Sequence, residues 1–301
     1  MTFDLELFLK KMRTRKDYVD SCLHNSLYNM NGYPPIIHEA MNYALFNGGK
    51  RIRPIMVFEG AKIAGGEMQK VIPTACAVEM IHTYSLVHDD LPAMDDDDFR
   101  RGKPTCHRVY GEAVAILTGD ALLTGAFELL AQNSDRKEIK ADRVIRVIEE
   151  ISHAAGSRGM IGGQVVDLES EGKQLDYRTL KTLHSLKTGE LFKVSLRAGA
   201  ILSGIDDKGL QALTNYAYHF GLAFQITDDI LDITGNEIIT GKPLGSDQKN
   251  NKTTYPTLFG LKKACQLASE SINACVDSLD MFGQEADFLK EQAYYLQHRN
   301  N

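Results

Sequence analysis

Several residue types and patterns are scarce in this sequence, and each shortage excludes a class of protein. The chain has 301 residues, and its 25 glycines and 8 prolines are too few for a low-complexity or fibrous protein. Basic residues are not in excess, because 34 Lys and Arg stand against 40 Asp and Glu and leave a net charge of −6. A general polyanion-binding surface needs positive charge, so we expect no nucleic-acid partner.

Signals for disulfide bonding, secretion and membrane insertion are also missing. The 5 cysteines are scattered, odd in number and without a CxxC pair, which favours reduced thiols and excludes a zinc frame. Asp4 and Glu6 lie where a signal peptide would need a basic start and an apolar core. The charge-free stretch 209–227 contains polar residues such as Gln211 and His219, which disfavours a membrane span. We therefore expect a cytoplasmic protein without membrane insertion.

Almost the whole chain has a sequence pattern typical of α-helix. No segment shows sustained alternation with a period of two bounded by hairpin turns. Pro34 and Pro54 lie where first-turn prolines belong. The predicted helices cover 3–29, 34–47, 53–65, 68–90, 111–132, 138–155, 157–171, 176–203, 206–234, 255–281 and 284–298. Because no Gly/Ser linker or composition break divides them, we predict one all-α domain, residues 1–301.

Two clusters of aspartate follow apolar segments that are predicted to be buried helices. The first is DDLPAMDDDD at 89–98, and the second contains Asp228 and Asp232. An isolated acidic run is usually a solvated loop. Carboxylates at a helix C-terminus, however, oppose the helix dipole by some tenths of a kcal/mol each, and a bound cation would remove that conflict. Two such clusters favour a cation site.

The spacing of these aspartates predicts two carboxylate faces that could oppose each other across one cavity. Asp228 and Asp232 are four residues apart and project from one helix face. Asp89 and Asp95 are six apart, but Pro92 interrupts the helix between them, and a bulged turn could return Asp95 to the Asp89 face. Oxygen ligands without His or Cys suit Mg²⁺ better than zinc, and Mg²⁺ bound this way usually also holds substrate phosphates.

Basic residues form a separate group that begins with GGKRIRP at 48–54. Positive side chains at a helix N-terminus oppose the dipole, so a bound anion explains them better than helix formation does. Further cations are Arg100, Arg101, Lys187, Lys242 and Lys252. Because one phosphate group needs fewer cations, the pattern indicates two diphosphates, one held through metal and one held directly by Lys and Arg.

Five motifs occur in a fixed order: GGKRIRP, HTYSLVHDDLPAMDDDDFRRGKPTCH, LKTGELF, FQITDDILD and GKPLGSDQKNNKTTYP. On these motifs the chain resembles the short-chain (E)-prenyl diphosphate synthases, most of all the bacterial farnesyl diphosphate synthases. The resemblance implies a single helical bundle around a central cavity, of the isoprenoid synthase type, and a homodimer. It implies head-to-tail condensation of isopentenyl diphosphate with dimethylallyl and geranyl diphosphate to farnesyl diphosphate (C15). It also implies Mg²⁺ as cofactor, with three ions per active site when substrate is bound.

The resemblance assigns roles to individual residues. The implied metal ligands are Asp89, Asp95 and Asp228, supported by Asp90 and Asp232. The implied contacts of isopentenyl diphosphate are Gly49, Lys50, Arg53, His82 and Arg101. Those of the allylic diphosphate are Arg100, Lys187 and Lys242, with Thr188 and Gln225 as polar groups near the allylic cation. No protein base is evident, and the resemblance implies that released pyrophosphate takes the proton.

Product length is predicted from the helix that precedes the first aspartate motif. Ser85 lies one turn before Asp89, about 6 Å along the axis, and Tyr84 reaches the same cavity from its flank. On geometry alone Tyr84 is as well explained as a core aromatic. Farnesyl synthases commonly carry an aromatic residue at this position and plant-type geranylgeranyl synthases carry Met, so the resemblance favours a C15 product.

Several different functions remain open on the sequence alone. A geranylgeranyl (C20) synthase of the same family would share every motif. A His-Asp metal phosphohydrolase would use His82 and His88, although His82 by itself is more often a core histidine. A terpene cyclase would need one diphosphate site, and a non-catalytic subunit would have no use for buried carboxylates. Gln164 and Asp167 fit a helix-packing pair, and the C-terminal tail has no assigned role.

Overall fold

The structure, a computed structural model, describes residues 3–30, 32–135, 138–234 and 252–299. Within these ranges the helices are α1 (Leu5–Asn29), α2 (Pro35–Leu45), α3 (Ile52–Ile63), α4 (Ile72–Asp89), α5 (Cys106–Tyr110), α6 (Glu112–Ala131) and α7 (Ala141–Ala155). They continue with α8 (Met160–Glu169), α9 (Tyr177–His184), α10 (Glu190–Ser203), α11 (Asp207–Thr234), α12 (Tyr255–Phe259), α13 (Leu261–Asp277) and α14 (Asp287–His298). The short segments are 3₁₀ turns at Met68–Val71, Gln132–Asp135 and Asp280–Ala286, and a π turn at Ser185–Gly189.

The predicted all-α bundle is confirmed, with two local corrections. A small antiparallel hairpin, β1 (Phe99–Arg100) and β2 (Lys103–Pro104), follows the first aspartate motif, where no strand was predicted. The prediction of one helix over 255–281 is wrong, because the chain turns at Gly260, whose φ is +79°. That left-handed conformation suits glycine and separates α12 from α13.

Helix α4 lies at the centre of the bundle and is buried on nearly all sides, as its apolar sequence predicts. It packs against α3 on one side and against α6 on another. Helix α3 in turn lies very close to α10, since a Cβ added at Gly199 would come within 1.8 Å of the Val57 carbonyl oxygen. The backbones of α3 and α10 are therefore in direct contact at the centre of the bundle, and Asp89 lies at the C-terminal end of α4.

Helix α6 differs from α4 in having one buried and one exposed apolar side. With the 3₁₀ turn that follows, Glu112–Asp135 is long and apolar enough to cross a membrane, and 44% of its most apolar window is buried within the protein. Its buried side contacts α4, where His88 Nε2 lies 3.0 Å from the Ile116 carbonyl oxygen. Ile116 and Leu117 themselves are 45% and 57% exposed.

Candidate active site

The first aspartate motif forms a bulged turn at the end of α4. The Asp95 amide donates a hydrogen bond to the Asp89 carbonyl oxygen at 2.9 Å, and the Asp96 amide donates to the Leu91 carbonyl at 3.2 Å. Asp96 has a positive φ of 51°, which tightens the turn. The predicted return of Asp95 to Asp89 is thus confirmed at the backbone, and the two carboxylates repel each other.

The electrostatics of Asp89 suit a bound cation. Burial raises the pKa of Asp89 to about 6, Lys187 opposes this shift, and Asp95 and Asp90 add to it. Among the described residues, no group of three His, Cys, Asp or Glu side chains is placed to hold a metal by itself. Mg²⁺ normally takes one or two carboxylates together with substrate phosphates, and the Asp89–Asp95 pair fits that mode of binding.

Asp90 points towards the arginines that follow the motif. It is 3% exposed, and its Oδ1 accepts a hydrogen bond from Arg100 Nε at 2.6 Å. Arg100 also lies 3.6 Å from an Asp97 carboxylate oxygen. Asp90 therefore fixes Arg100 beside the motif. The role of Asp90 in supporting a metal ion stays a prediction.

Arg51, in the middle of GGKRIRP, turns away from the site and anchors it. Its φ is +55°, and its guanidinium donates to Asp20 Oδ1 at 2.8 Å and to Glu79 Oε1 at 2.7 Å. A third hydrogen bond, at 2.6 Å, reaches the Leu45 carbonyl oxygen. This buried cation, held by three hydrogen bonds, fixes the loop from which Lys50 projects. The sequence pattern alone does not distinguish it from Lys50 and Arg53.

Lys50 and Arg53 place two positive charges in buried surroundings. Burial lowers the pKa of Lys50 to about 8 and that of Arg53 to about 10, and in both cases Arg101 contributes to the lowering. Arg53 lies over the Phe192 ring, 4.3 Å from its centroid, and its buried Nε has no hydrogen-bond partner in the described structure. An anion placed here would favour the charged forms and reverse these shifts.

Arg101 and Gly49 complete this basic group. A guanidinium nitrogen of Arg101 donates to the Gly48 carbonyl, and a Cβ added at Gly49 would lie 2.7 Å from the same nitrogen. Gly49 has a φ of +126°, a left-handed backbone conformation that favours glycine. His82 lies in the same surroundings, and burial, followed by the charges of Arg53 and Arg101, holds its pKa well below the usual value. His82 is therefore neutral at physiological pH.

The second aspartate cluster lies near the C-terminal end of α11. Asp228 keeps 35% of its side-chain surface exposed. Desolvation raises its pKa, while Arg299 and Lys50 oppose the shift. Arg299 pairs directly with Asp228 and lies over the Phe224 ring, 4.5 Å from its centroid. Asp232, one turn further on, is half-buried. Arg299 belongs to the C-terminal tail, for which the sequence predicts no role. In the structure its guanidinium places a positive charge directly against the Asp228 carboxylate.

Lys187 and Thr188 lie on the π turn between α9 and α10. Lys187 Nζ donates to Asp167 Oδ2 at 2.6 Å, and Thr188 Oγ1 donates to Gln225 Oε1 at 3.4 Å. The interpretation of Gln164 and Asp167 as a helix-packing pair stays a prediction, and in the structure Asp167 links α8 to the π turn through Lys187. Lys242, the remaining predicted contact of the allylic diphosphate, lies outside the described residues.

One cavity of 480 Å³ is lined by part of the basic group, by Asp89 of the first aspartate motif and by Lys187 and Thr188 of the π turn. Its polar end contains Arg53, His82, Asp89, Lys187 and Thr188, together with Gln164, whose amide atoms have no partner among the described residues. Its apolar walls contain Met94, Met160, Ile161, Val165 and Leu168. Tyr84 and Ser85 line it as predicted, and the Tyr84 ring is 5% exposed. The arrangement provides charged groups for diphosphate at one end and an apolar wall for a hydrocarbon chain beside it.

An all-helical bundle with this combination of sites defines the class of the isoprenoid synthases. The chain belongs to the polyprenyl synthetase family, whose model matches residues 34–292. It is 47% identical over 270 residues to a farnesyl diphosphate synthase from Geobacillus stearothermophilus, covering 90% of this chain and 89% of that protein. It is 43% identical over 288 residues to a geranylgeranyl diphosphate synthase from Cyanophora paradoxa, covering 95% of each.

The solved structures agree with this assignment. A geranyltransferase from Legionella pneumophila superposes with a TM-score of 0.86 at 33% sequence identity, covering 98% of this chain and 99% of that chain. The resemblance predicted from the motifs is thus confirmed, and the protein is a short-chain prenyltransferase. Relatives named for C15 and for C20 products both occur, so similarity alone does not assign the product length.

Proposed function

We propose that residues 1–301 act as one polyprenyl synthase domain that makes farnesyl diphosphate (C15) from isopentenyl diphosphate and dimethylallyl, then geranyl, diphosphate. The observation that carries this proposal is the cavity that joins Arg53 and His82 to Asp89 at one end and contains Tyr84 in its wall. A diphosphate-binding end and an apolar wall within one cavity are what chain elongation requires.

The basic group formed by Gly49, Lys50, Arg53, His82 and Arg101 would bind the diphosphate of isopentenyl diphosphate. Burial lowers the pKa values of Lys50 and Arg53, and a bound diphosphate would favour their charged forms. The neutral His82 can donate a hydrogen bond without adding charge. Arg101 is aimed by its hydrogen bond to Gly48.

The aspartate clusters would hold the allylic diphosphate through Mg²⁺ at Asp89, Asp95 and Asp228, with Asp90 and Asp232 in support. Bound Mg²⁺ supplies stabilisation of the charge that builds on departing pyrophosphate. Arg100, Lys187 and Lys242 add direct cations to the same group. Thr188 and Gln225 lie beside the carbon that ionises, and the apolar walls keep water from it.

The reaction then needs no acid or base from the protein. The allylic C–O bond breaks, the isopentenyl double bond forms a new C–C bond to that carbon, and the departed pyrophosphate takes the proton that is lost. The test is incubation of the purified protein with isopentenyl and dimethylallyl diphosphates and Mg²⁺, followed by product analysis. C15 is the expected main product. Mainly C20 would support a geranylgeranyl synthase, and no prenyl product would overturn both assignments.

A phosphohydrolase and a terpene cyclase fit the site less well. A His-Asp phosphohydrolase would need His88 as a metal ligand, but His88 Nε2 lies against the Ile116 carbonyl oxygen at 3.0 Å. Substitution of His88 with prenyl transfer retained would dismiss that enzyme. A terpene cyclase needs a single diphosphate site, so it would not use the second group of buried cations, which contains Lys50 and Arg53.

We also infer a cytoplasmic homodimer in which the exposed apolar side of α6 meets a second copy. This α6 face consists of Ala113, Ile116, Leu117, Leu123 and Phe127. Ala113, Ile116 and Leu117 are exposed, whereas Leu123 and Phe127 are partly buried. A patch of exposed apolar side chains of this kind marks an interaction surface. Leu117→Glu is expected to give monomers in size-exclusion chromatography with light scattering. Ile145→Glu, at a residue of α7 that is 66% exposed, is the matched control and should remain dimeric.

A further inference from the structure

The backbone that carries Lys187 is clamped between two neighbouring helices. A Cβ added at Gly163 of α8 would lie 2.3 Å from the Lys187 amide nitrogen and 2.6 Å from its Cα. On the opposite side, a Cβ added at Gly221 of α11 would lie 3.0 Å from the Gly189 Cα. The π turn therefore cannot shift towards either helix, and the point from which the Lys187 side chain starts is fixed.

The flexible part of Lys187 stands between two carboxylates. Its Nζ is 2.6 Å from Asp167 Oδ2, and its charge also acts on Asp89, which lines the same 480 Å³ cavity. Lys187 lines a second, smaller cavity of 160 Å³ together with Asp167. A lysine stem is long and mobile, so the ammonium could pair with either carboxylate.

We propose that Asp167 is a positioning residue that holds the Lys187 ammonium away from Asp89. Asp89 then stays available to the catalytic cation, while the ammonium presents its other N–H donors to the allylic diphosphate. This inference rests on the proposed function, in which Lys187 contacts the allylic substrate, and it extends it to a residue outside both aspartate motifs.

Asp167 is well suited to this task because it stays ionised. Burial by itself would raise its pKa, but the charges of Lys187 and Lys252 and the hydrogen bond from Lys187 bring the pKa below its ordinary value. Lys252 Nζ lies 4.0 Å from the same Oδ2 atom. Lys187 and Lys252 therefore both bring positive charge to the Asp167 carboxylate.

The first test is Asp167→Asn, which keeps the shape of the side chain and removes its charge. We expect the KM for geranyl diphosphate and the half-saturating Mg²⁺ concentration to rise roughly tenfold, the scale of a lost charge-assisted hydrogen bond, with the KM for isopentenyl diphosphate unchanged. The matched control is Glu171→Gln, another carboxylate of the smaller cavity, which should leave all three values unchanged. Equal thermal stability of the two variants would show that the fold is intact.

A binding measurement gives a readout that does not depend on turnover. Geranyl thiolodiphosphate, an allylic analogue that resists ionisation, is titrated calorimetrically in the presence of Mg²⁺. Its affinity should fall roughly tenfold in Asp167→Asn and stay unchanged in Glu171→Gln. Parent-like affinity in Asp167→Asn would overturn the inference.

The decisive comparison uses Lys187→Gln alone and combined with Asp167→Asn. If Asp167 acts through Lys187, the second substitution has no further effect on analogue affinity once the lysine is gone. The same loss in both backgrounds would mean that Asp167 acts directly on metal or substrate, and the positioning role would be overturned. Failure of the proposed function is a separate result, because it would appear as absence of prenyl transfer in the unmodified protein.

Discussion

Replacement of Tyr84 by alanine should lengthen the product by about one isoprene unit. Tyr84 lies five residues before Asp89 on α4, about 7.5 Å along the helix axis, and its ring lines the cavity. The substitution removes roughly seven heavy atoms, and an isoprene unit adds about five, so the added space is of the right size. We therefore expect the main product to change from C15 to C20.

The same substitution should cost little stability for a residue of this size. Truncation of a buried aromatic to alanine commonly costs about 3–5 kcal/mol. The Tyr84 ring faces a cavity, and its buried hydroxyl has no hydrogen-bond partner among the described residues, so we expect a smaller loss of about 2 kcal/mol. A melting temperature lowered by several degrees, with a cooperative transition retained, would agree with this.

The assay compares the hydrolysed products of the parent protein, Tyr84→Ala and Tyr84→Phe by gas chromatography. Tyr84→Phe removes only the hydroxyl and keeps the ring, so it should retain the parent product and serve as the control. If Tyr84→Ala still releases C15 alone, the floor of the cavity lies elsewhere. If both variants lengthen the product, the hydroxyl and not the ring limits growth, and the volume argument is refuted.

Three further predictions concern the charged groups. EDTA should abolish turnover, and excess Mg²⁺ should restore it. Asp89→Ala and Asp228→Ala should each lower kcat by orders of magnitude. A near-normal kcat in either variant would remove that residue from the site. Arg53→Ala should raise the KM for isopentenyl diphosphate more than that for geranyl diphosphate, whereas equal effects would contradict separate diphosphate sites. Lys50 is charged below its pKa of about 8 and neutral above it, so kcat/KM for isopentenyl diphosphate should fall as the pH rises through 8. Lys50→Arg should move that fall to higher pH, and an unchanged profile would exclude Lys50 as its cause.

The parts of the site that the sequence predicts are encoded by close neighbours in the chain. The apolar run before Asp89 indicates a buried helix, and Pro92 indicates a break, so the bulged turn that returns Asp95 follows from local chemistry. The position of Tyr84 in the cavity wall follows in the same way from helical spacing. Each of these features depends on fewer than about ten residues.

The parts of the site that the sequence does not predict depend on residues that are far apart in the chain. Three cations lie close together in GGKRIRP, and Arg51 is the one that turns inward because Asp20 and Glu79, 31 and 28 residues away, accept its hydrogen bonds. Asp167 and Lys187 are 20 residues apart, and Asp228 and Arg299 are 71 apart. Pattern within a helix carries no information about such pairs, which form only when the helices pack.

The two incorrect details of the fold have a different origin. Hydrophobic spacing continues from α12 into α13, so it does not register the turn at Gly260. The β1–β2 hairpin has two residues in each strand, shorter than any alternation that could reveal it. In both places the backbone conformation of a single turn decides the structure. Hydrophobic periodicity is a property of longer segments and does not reveal one turn.

With the diphosphate sites assigned as proposed, helix α4 would also set the separation of the two reactants. Arg51 ties the Lys50 loop to Glu79, and Asp89 begins the metal-binding turn ten residues later, so about 15 Å of helix separates the two attachment points. A helix keeps a fixed phase as well as a fixed length. One residue inserted between Glu79 and Asp89 would move the aspartate by about 1.5 Å and rotate it by about 100° relative to the basic loop. In the proposed arrangement, the number of residues in this helix therefore determines how the two substrates are aligned. Exchanging side chains leaves that number unchanged.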